Sequence, residues 1–291
     1  MLDNLFEEEL RQDKKIQTIM FTSLRKIYIL SYTYSGSAII VIIFYYTPVF
    51  IFIIREFIRD FRLTTNYTLP SGFKIYPWTI PDNLKFYHLM YETITSIFCG
   101  ITSCAIESVF GLYVYQSVSI LNAMSFRLMY PLPTESYSNV LKTCIAKHQK
   151  LLQSRNTLER IFGPIVFWHI VTNAIILCGL MYEASTIKIV DSKEFATFMT
   201  YIITKMFQCF MYAWHGTLIS NAGESFRTGI YFGKWTDSNL DRHVRTNIIL
   251  MMMQKPMTIY AFVSSINVVM FTNLVNTTMS YFFLMQSIGD K

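Results

Sequence analysis

Two charges stand where the surrounding sequence is apolar: Glu107 interrupts the window 88–118 and Lys205 interrupts 195–222. A charge inside a membrane segment is costly unless it is paired, faces water or lies buried in protein. Both fall within a side chain's reach in depth. One expectation is a buried ion pair that fixes packing or lines an aqueous cavity. The other is that each serves separately, by snorkelling or by bonding local backbone carbonyls.

No catalytic constellation accompanies them. The five histidines, His88, His148, His169, His215 and His243, are scattered, with no HExxH. Neither a P-loop, a GxSxG elbow nor a dinucleotide-binding glycine pattern occurs. The chain is therefore read as a non-enzyme, with no metal site and no cofactor. His169 beside Trp168 reads as a satisfied buried pair rather than a ligand site, since each ring needs one polar partner. Four of the five cysteines fall in apolar segments and Cys144 in a polar loop, which argues against a disulfide framework. The aromatic clusters Phe44-Tyr45-Tyr46 and Tyr87, Tyr91, Phe98 would wall a hydrophobic pocket or form an interfacial belt.

The elements that must position these residues follow from charge spacing. Of 291 residues 52% are hydrophobic and only 15% charged, well under the roughly 25% charge of a soluble domain. Residues 27–54 and 256–289 carry no charge at all, and about 20 apolar residues in a helix cross a bilayer. Five spans are expected, at 36–56, 88–118, 161–182, 195–222 and 257–285. The fold class is all-α, a polytopic membrane helix bundle. Residues 1–26 hold five acidic and five basic side chains, so they do not form a signal peptide. The internal loop 119–160 shows helical spacing of Leu141, Ile145, Leu152, Leu158 and Ile161. Such a helix should pack on other cytoplasmic helices or lie flat on the membrane.

Loop charge sets the orientation. Sixteen Lys and Arg fall in the N-terminal segment and the second and fourth loops, against eight on the other side. The positive-inside rule places the N-terminus in the cytoplasm and the C-terminus outside. The sequon at Asn66 then lies in the first external loop, as glycosylation requires, while the one at Asn276 is inside the last span. The net charge of +6 is spread over loops and does not suggest nucleic acid. On the last span, Tyr281, Leu284, Ser287 and Ile288 share one face. Such a face suits a dewetting gate with a polar step, though packing would look the same.

The carboxyl-terminal third resembles the insect odorant receptor family. Tyr231-Phe232-Gly233-Lys234-Trp235 fits its Tyr-x-x-x-Trp signature, and Lys255-Pro256 its Lys-Pro before the last helix. Ser280-Tyr281-Phe282 resembles its closing Ser-Tyr-Phe. Upstream, Pro77-Trp78, the acidic Glu107 and His148-Gln149 also fit, with Glu107 where Asp is more usual.

The resemblance implies a seven-span fold of which five spans are present, the chain beginning at what would be the first cytoplasmic loop. On that reading residues 1–35 are a cytoplasmic segment and 36–222 the bundle with the pocket half. Residues 223–291 then hold a cytoplasmic anchor segment and a pore-type last span. The resemblance further implies an odorant-gated cation channel in the plasma membrane of olfactory sensory neurons, hetero-tetrameric with a co-receptor and opened by small volatile ligands. The pore and gate would fall to Tyr281, Leu284, Ser287 and Ile288, and the outer-half odorant pocket would include Tyr91, Phe98 and Tyr201. The alternative is a truncated, non-conducting assembly partner. A G-protein-coupled receptor, with its N-terminus outside, is the remote third reading.

Overall fold

A computed structural model describes residues 2–10, 14–60, 81, 84–131, 135–186, 192–233, 235, 242–254, 257–262 and 264–289. In chain order the elements are α1 (Leu2–Leu10), α2 (Lys14–Asp60), α3 (Lys85–Met129), α4 (Tyr137–Thr186), α5 (Ser192–Tyr231) and α6 (Arg242–Met253). A short hairpin, β1 (Tyr260–Ala261) and β2 (Ser264–Ser265), precedes α7 (Val268–Gly289).

The four long helices run 47, 45, 50 and 40 residues. At about 1.5 Å per residue they are roughly 60–75 Å long, about twice the 30 Å core of a bilayer. Each therefore has a part of membrane length and a part that projects beyond it. Tyr28–Arg59, Lys85–Met129 and Tyr137–Met181 are long and apolar enough to cross a membrane. Helix α5 is long enough as well, but Lys205, Gln208 and His215 make it less apolar. The last two of these are buried. Pro48 and Pro164 sit inside continuous helices, as membrane helices tolerate when neighbours satisfy the freed backbone groups.

This corrects the expected internal loop. Residues 119–160 are the projecting ends of α3 and α4, and only a short connection separates Met129 from Tyr137. Cys144 is buried in a helix rather than placed in a loop. The stripe that packs is Tyr137, Val140, Leu141, Cys144, Lys147, Leu151 and Leu158. Of the expected residues only Leu141 and Leu158 are buried, while Ile161 is exposed. The expected spacing drifts around a straight helix, whereas steps of three and four hold one face.

The best-packed core lies in these projecting parts. Leu121, Met124 and Leu128 of α3 meet Leu141 and Leu151 of α4, Phe226 and Ile230 of α5, and Ile248 and Met251 of α6. In the apolar windows the large side chains point outward instead, as Ile39, Ile43, Phe44, Ile94 and Phe98 do. Water drives apolar surface together, and lipid tails do not. At one point α3 and α5 approach through small residues. A Cβ on Gly229 would overlap the Ser125 hydroxyl.

Helix α1 straps this core from below. Leu2 and Leu5 are buried, Phe6 meets Tyr115 edge-on at 6.0 Å, and Gln116 Nε2 donates to Asp3 Oδ1 at 2.6 Å. Lys147 Nζ lies 3.6 Å from Glu8 Oε1, closing the strap onto α4.

The last expected span, 257–285, is also corrected. Residues 257–262 and 264–267 are not helical: β1 and β2 pair antiparallel, Tyr260 opposite Ser265 and Ala261 opposite Ser264. Met257, Ile259 and Ala261 are buried while Tyr260 and Phe262 are exposed. That alternation of period two is the mark of an extended strand. Phe262 turns the chain with φ +56°, and its ring stands edge-on to Phe167 of α4 at 5.2 Å. Asn267 then caps α7, its Oδ1 accepting from the Met270 N–H at 2.8 Å.

Candidate functional site

Within the apolar windows, α3, α4 and α5 turn polar side chains toward one another. Their centre is Gln208 of α5, which is buried. Its amide nitrogen donates to Glu107 Oε1 at 2.5 Å and meets His169 Nε2. Its carbonyl accepts from Lys205 Nζ at 3.3 Å and from Asn173 Nδ2 at 3.4 Å. An amide offers two donors and two acceptor lone pairs, so all four positions of Gln208 are used. The Tyr34 hydroxyl of α2 also faces Glu107.

Glu107 and Lys205 thus do meet, but through an amide rather than as a direct pair. Glu107 is 5% exposed, and its Oε1 lies 4.0 Å from His169 Nε2. The amide nitrogen of Gln208 is a donor, which leaves His169 Nε2 the accepting side of that contact. Lys205 also lies over the Tyr201 ring, 5.6 Å from its centroid. The expected His169–Trp168 pair is corrected: Trp168 is 62% exposed, and the partner of His169 is Gln208. Sequence reasoning missed Gln208, although it follows the singled-out Lys205 by one helical turn.

The three pocket candidates are placed apart. Tyr91 and Phe98 share the outward face of α3, at 65% and 72% exposure, while Tyr201 is half-buried on α5 beside Lys205. Of the Phe44-Tyr45-Tyr46 cluster, Tyr46 turns inward, its hydroxyl 2.6 Å from Ser96 Oγ, and Phe44 faces outward.

On α7 the inner face, including Phe271, Leu274 and Thr278, packs on α4 and α5. The side left uncovered carries the polar Thr272, Asn273, Asn276, Thr277, Ser280 and Ser287 together with the apolar Val269, Met279 and Phe283. Tyr281 and Leu284 are exposed beside these residues. The Ile288 backbone continues the helix, but its side chain lies outside the described residues.

The Tyr-x-x-x-Trp residues close the end of α5, where Trp235 Nε1 donates to the Tyr231 carbonyl at 3.2 Å. His148 of the projecting α4 stacks on Phe226 at 5.1 Å. Burial and the nearby Arg155 hold its pKa below the ordinary histidine value. Asn66, Pro77, Trp78, Lys255 and Pro256 lie outside the described residues. Among those described, no cluster of three metal-ligating side chains occurs.

Odorant receptor 9a of Drosophila melanogaster is 21% identical over 229 residues, which is 78% of this chain and 56% of that protein. Odorant receptor Or2 of Anopheles gambiae is 25% identical over 152 residues, covering 51% of this chain and 39% of its own. The chain thus spans about half the length, or less, of these curated relatives. The insect olfactory receptor OR5 from Machilis hrabei shares the fold at a TM-score of 0.74 and 12% identity, over 95% of this chain and 70% of that one. Its complex with eugenol gives 0.69 at 13% identity, with the same coverage. The 7tm odorant receptor family model matches residues 1–279, and the chain belongs to that family.

Proposed function

We propose that the chain is an odorant receptor subunit whose α7 lines a cation pathway in a hetero-tetramer with a co-receptor, opened by small volatile ligands. One observation carries the reading. The uncovered side of α7, in an otherwise apolar helix of membrane length, carries two side-chain amides, Asn273 and Asn276, among exposed hydroxyl and apolar side chains such as Ser280, Val269 and Phe283. Burying an unpaired amide in hydrocarbon costs roughly 2–7 kcal/mol, so a lipid-facing helix would not keep these residues. A water-filled path between subunits satisfies them.

On this reading the N-terminus is cytoplasmic, the C-terminus is outside, and the membrane is the plasma membrane of olfactory sensory neurons. The anchor lies within 223–253. Tyr281, Leu284, Ser287 and Ile288 form the narrow outer part of the path, with Leu284 and Ile288 as the apolar gate. Tyr91, Phe98 and Tyr201 belong to the pocket side of the bundle, within 36–222. A ligand opens the gate only by its greater affinity for the open state, and an apolar pocket makes that a matter of shape.

The test is co-expression with an insect odorant co-receptor in oocytes, with Asn276→Cys and Ser280→Cys variants. A panel of aliphatic alcohols, esters and phenols serves as stimulus. Odorant-evoked current that a water-soluble thiol reagent blocks in both variants, but not in the parent, is the expected result. Surface complexes that carry no evoked current would favour the non-conducting assembly partner.

A further inference from the structure

The start of α7 is fastened to two other helices by backbone contacts. The first N–H groups of any helix lack partners within it. Here the Val268 N–H donates to Thr217 Oγ1 of α5 at 3.0 Å, and the Met270 N–H donates to the Asn267 cap. The Thr217 hydroxyl proton is engaged by the Ala213 carbonyl at 3.0 Å, which leaves a lone pair for Val268.

Ahead of this turn, the Ile266 N–H donates to the Ile259 carbonyl at 2.9 Å, which ties the hairpin to itself. The Tyr260 N–H donates to Glu159 Oε1 of α4 at 2.9 Å. Glycines bring the backbones together beneath it. A Cβ on Gly163 would sit 3.2 Å from the Tyr260 carbonyl oxygen, one on Gly223 would sit 2.7 Å from the Met257 nitrogen, and one on Gly216 would overlap the Ile266 carbonyl. At these three glycines the backbone of the segment lies directly on α4 and α5, and densely packed contacts transmit displacement rather than absorb it.

We propose that Glu159 and Thr217 are positioning residues for α7: through Tyr260 and Val268 they hold its first turn to α4 and α5, so that movement of those helices shifts α7. That this shift gates a current rests on the channel reading above; the fastening itself does not. The two bonds act at opposite ends of one hairpin, so α7 follows α4 and α5 together and swings when they move apart.

The experiment compares Thr217→Val and Glu159→Leu, which remove the acceptors, with Thr217→Ser and Glu159→Gln, which keep an oxygen in place. Evoked and basal currents are recorded with the co-receptor, using the strongest activator of the panel, and surface protein is measured in parallel. The first two variants should change the ratio of basal to evoked current by about three- to tenfold, the worth of one hydrogen bond, at unchanged surface level. The second two should restore it. Parent-like ratios in all four variants, or equal defects in Val and Ser, overturn the proposal. Amide hydrogen exchange over 257–272 in purified full-length protein supplies a readout independent of current. If even the parent conducts nothing, the channel reading falls. Faster exchange in Val and Leu but not in Ser and Gln then upholds the fastening, and unchanged exchange in all four overturns it. If Val or Leu fails to reach the surface, the same exchange comparison on purified protein decides.

Discussion

Gln208 donates to Glu107 at 2.5 Å while the other end of the same amide accepts from Lys205 at 3.3 Å. Two opposite charges inside the bundle are thus joined by a neutral group that bonds one oxygen of Glu107 and the ammonium of Lys205, while Glu107 Oε2 is buried without a hydrogen bond. A buried ion keeps its charge at least cost when such polar partners stand around it. The amide also draws in His169 and Asn173, tying α3, α4 and α5 together at one level.

Gln208→Leu keeps the volume and removes all four bonds, stranding Glu107 and Lys205. Breaking a buried charged network costs about 3–5 kcal/mol. We expect a marked drop in melting temperature of the detergent-solubilised protein. Gln153→Leu, on an exposed face of α4, is the control. Equal melting of the two variants would remove the hub from any structural role.

Gly216→Ala and Gly229→Ala place a methyl group against the Ile266 carbonyl and the Ser125 hydroxyl respectively. Overpacking of this kind costs about 1–3 kcal/mol. Gly36→Ala, where nothing lies within 4 Å, should be neutral or slightly stabilising, since alanine is the better helix former by up to about 1 kcal/mol. Thermal melts of the three variants give the ranking, and a Gly36 variant as damaged as the others would contradict the packing described.

His148 ties stability to pH. Its folded-state pKa lies below its unfolded value because it is buried and near Arg155. The unfolded chain therefore binds the extra proton, and stability rises with pH wherever it does. The contribution is fully present above the unfolded pKa, about 6.5, and is lost as pH falls through and below it. His148→Phe keeps the stack on Phe226 and should flatten this slope between neutral and mildly acidic pH in denaturation series. A slope unchanged by the substitution would assign the acid sensitivity elsewhere.

On the proposed cation path, Leu284→Ser should raise the current in the absence of odorant, since a hydroxyl wets an apolar constriction. Asn276→Leu should lower unitary conductance while sparing the odorant dose for half activation. Single-channel recording separates the two effects. A dose shift without a conductance change would take Asn276 out of the path.

The sequence determined the class of this protein. Charge-free runs at 27–54 and 256–289 leave a helix little choice but the bilayer, and the motif residues around Tyr231 and Trp235 already pointed to the family. Hydropathy carries this information because transfer from water depends on composition along the chain, not on partners. The same reasoning marked Glu107 and Lys205 as costly and therefore partnered, and put Leu284 and Ser287 on one side of the last helix.

Tertiary structure decided how these pieces meet. No local pattern says that Gln208 stands between Glu107 and Lys205, because its four partners come from three helices as far as a hundred residues apart in sequence. The projecting ends of α3 and α4 read as a loop because charges dilute their hydropathy, yet water on that side is what packs Leu121, Leu141 and Phe226. An uncharged run is equally compatible with strand and helix. The start of the last span was fixed only by the Asn267 cap, by the close backbone approach at Gly216 and Gly223, and by the hydrogen bonds from Tyr260 and Val268 to other helices.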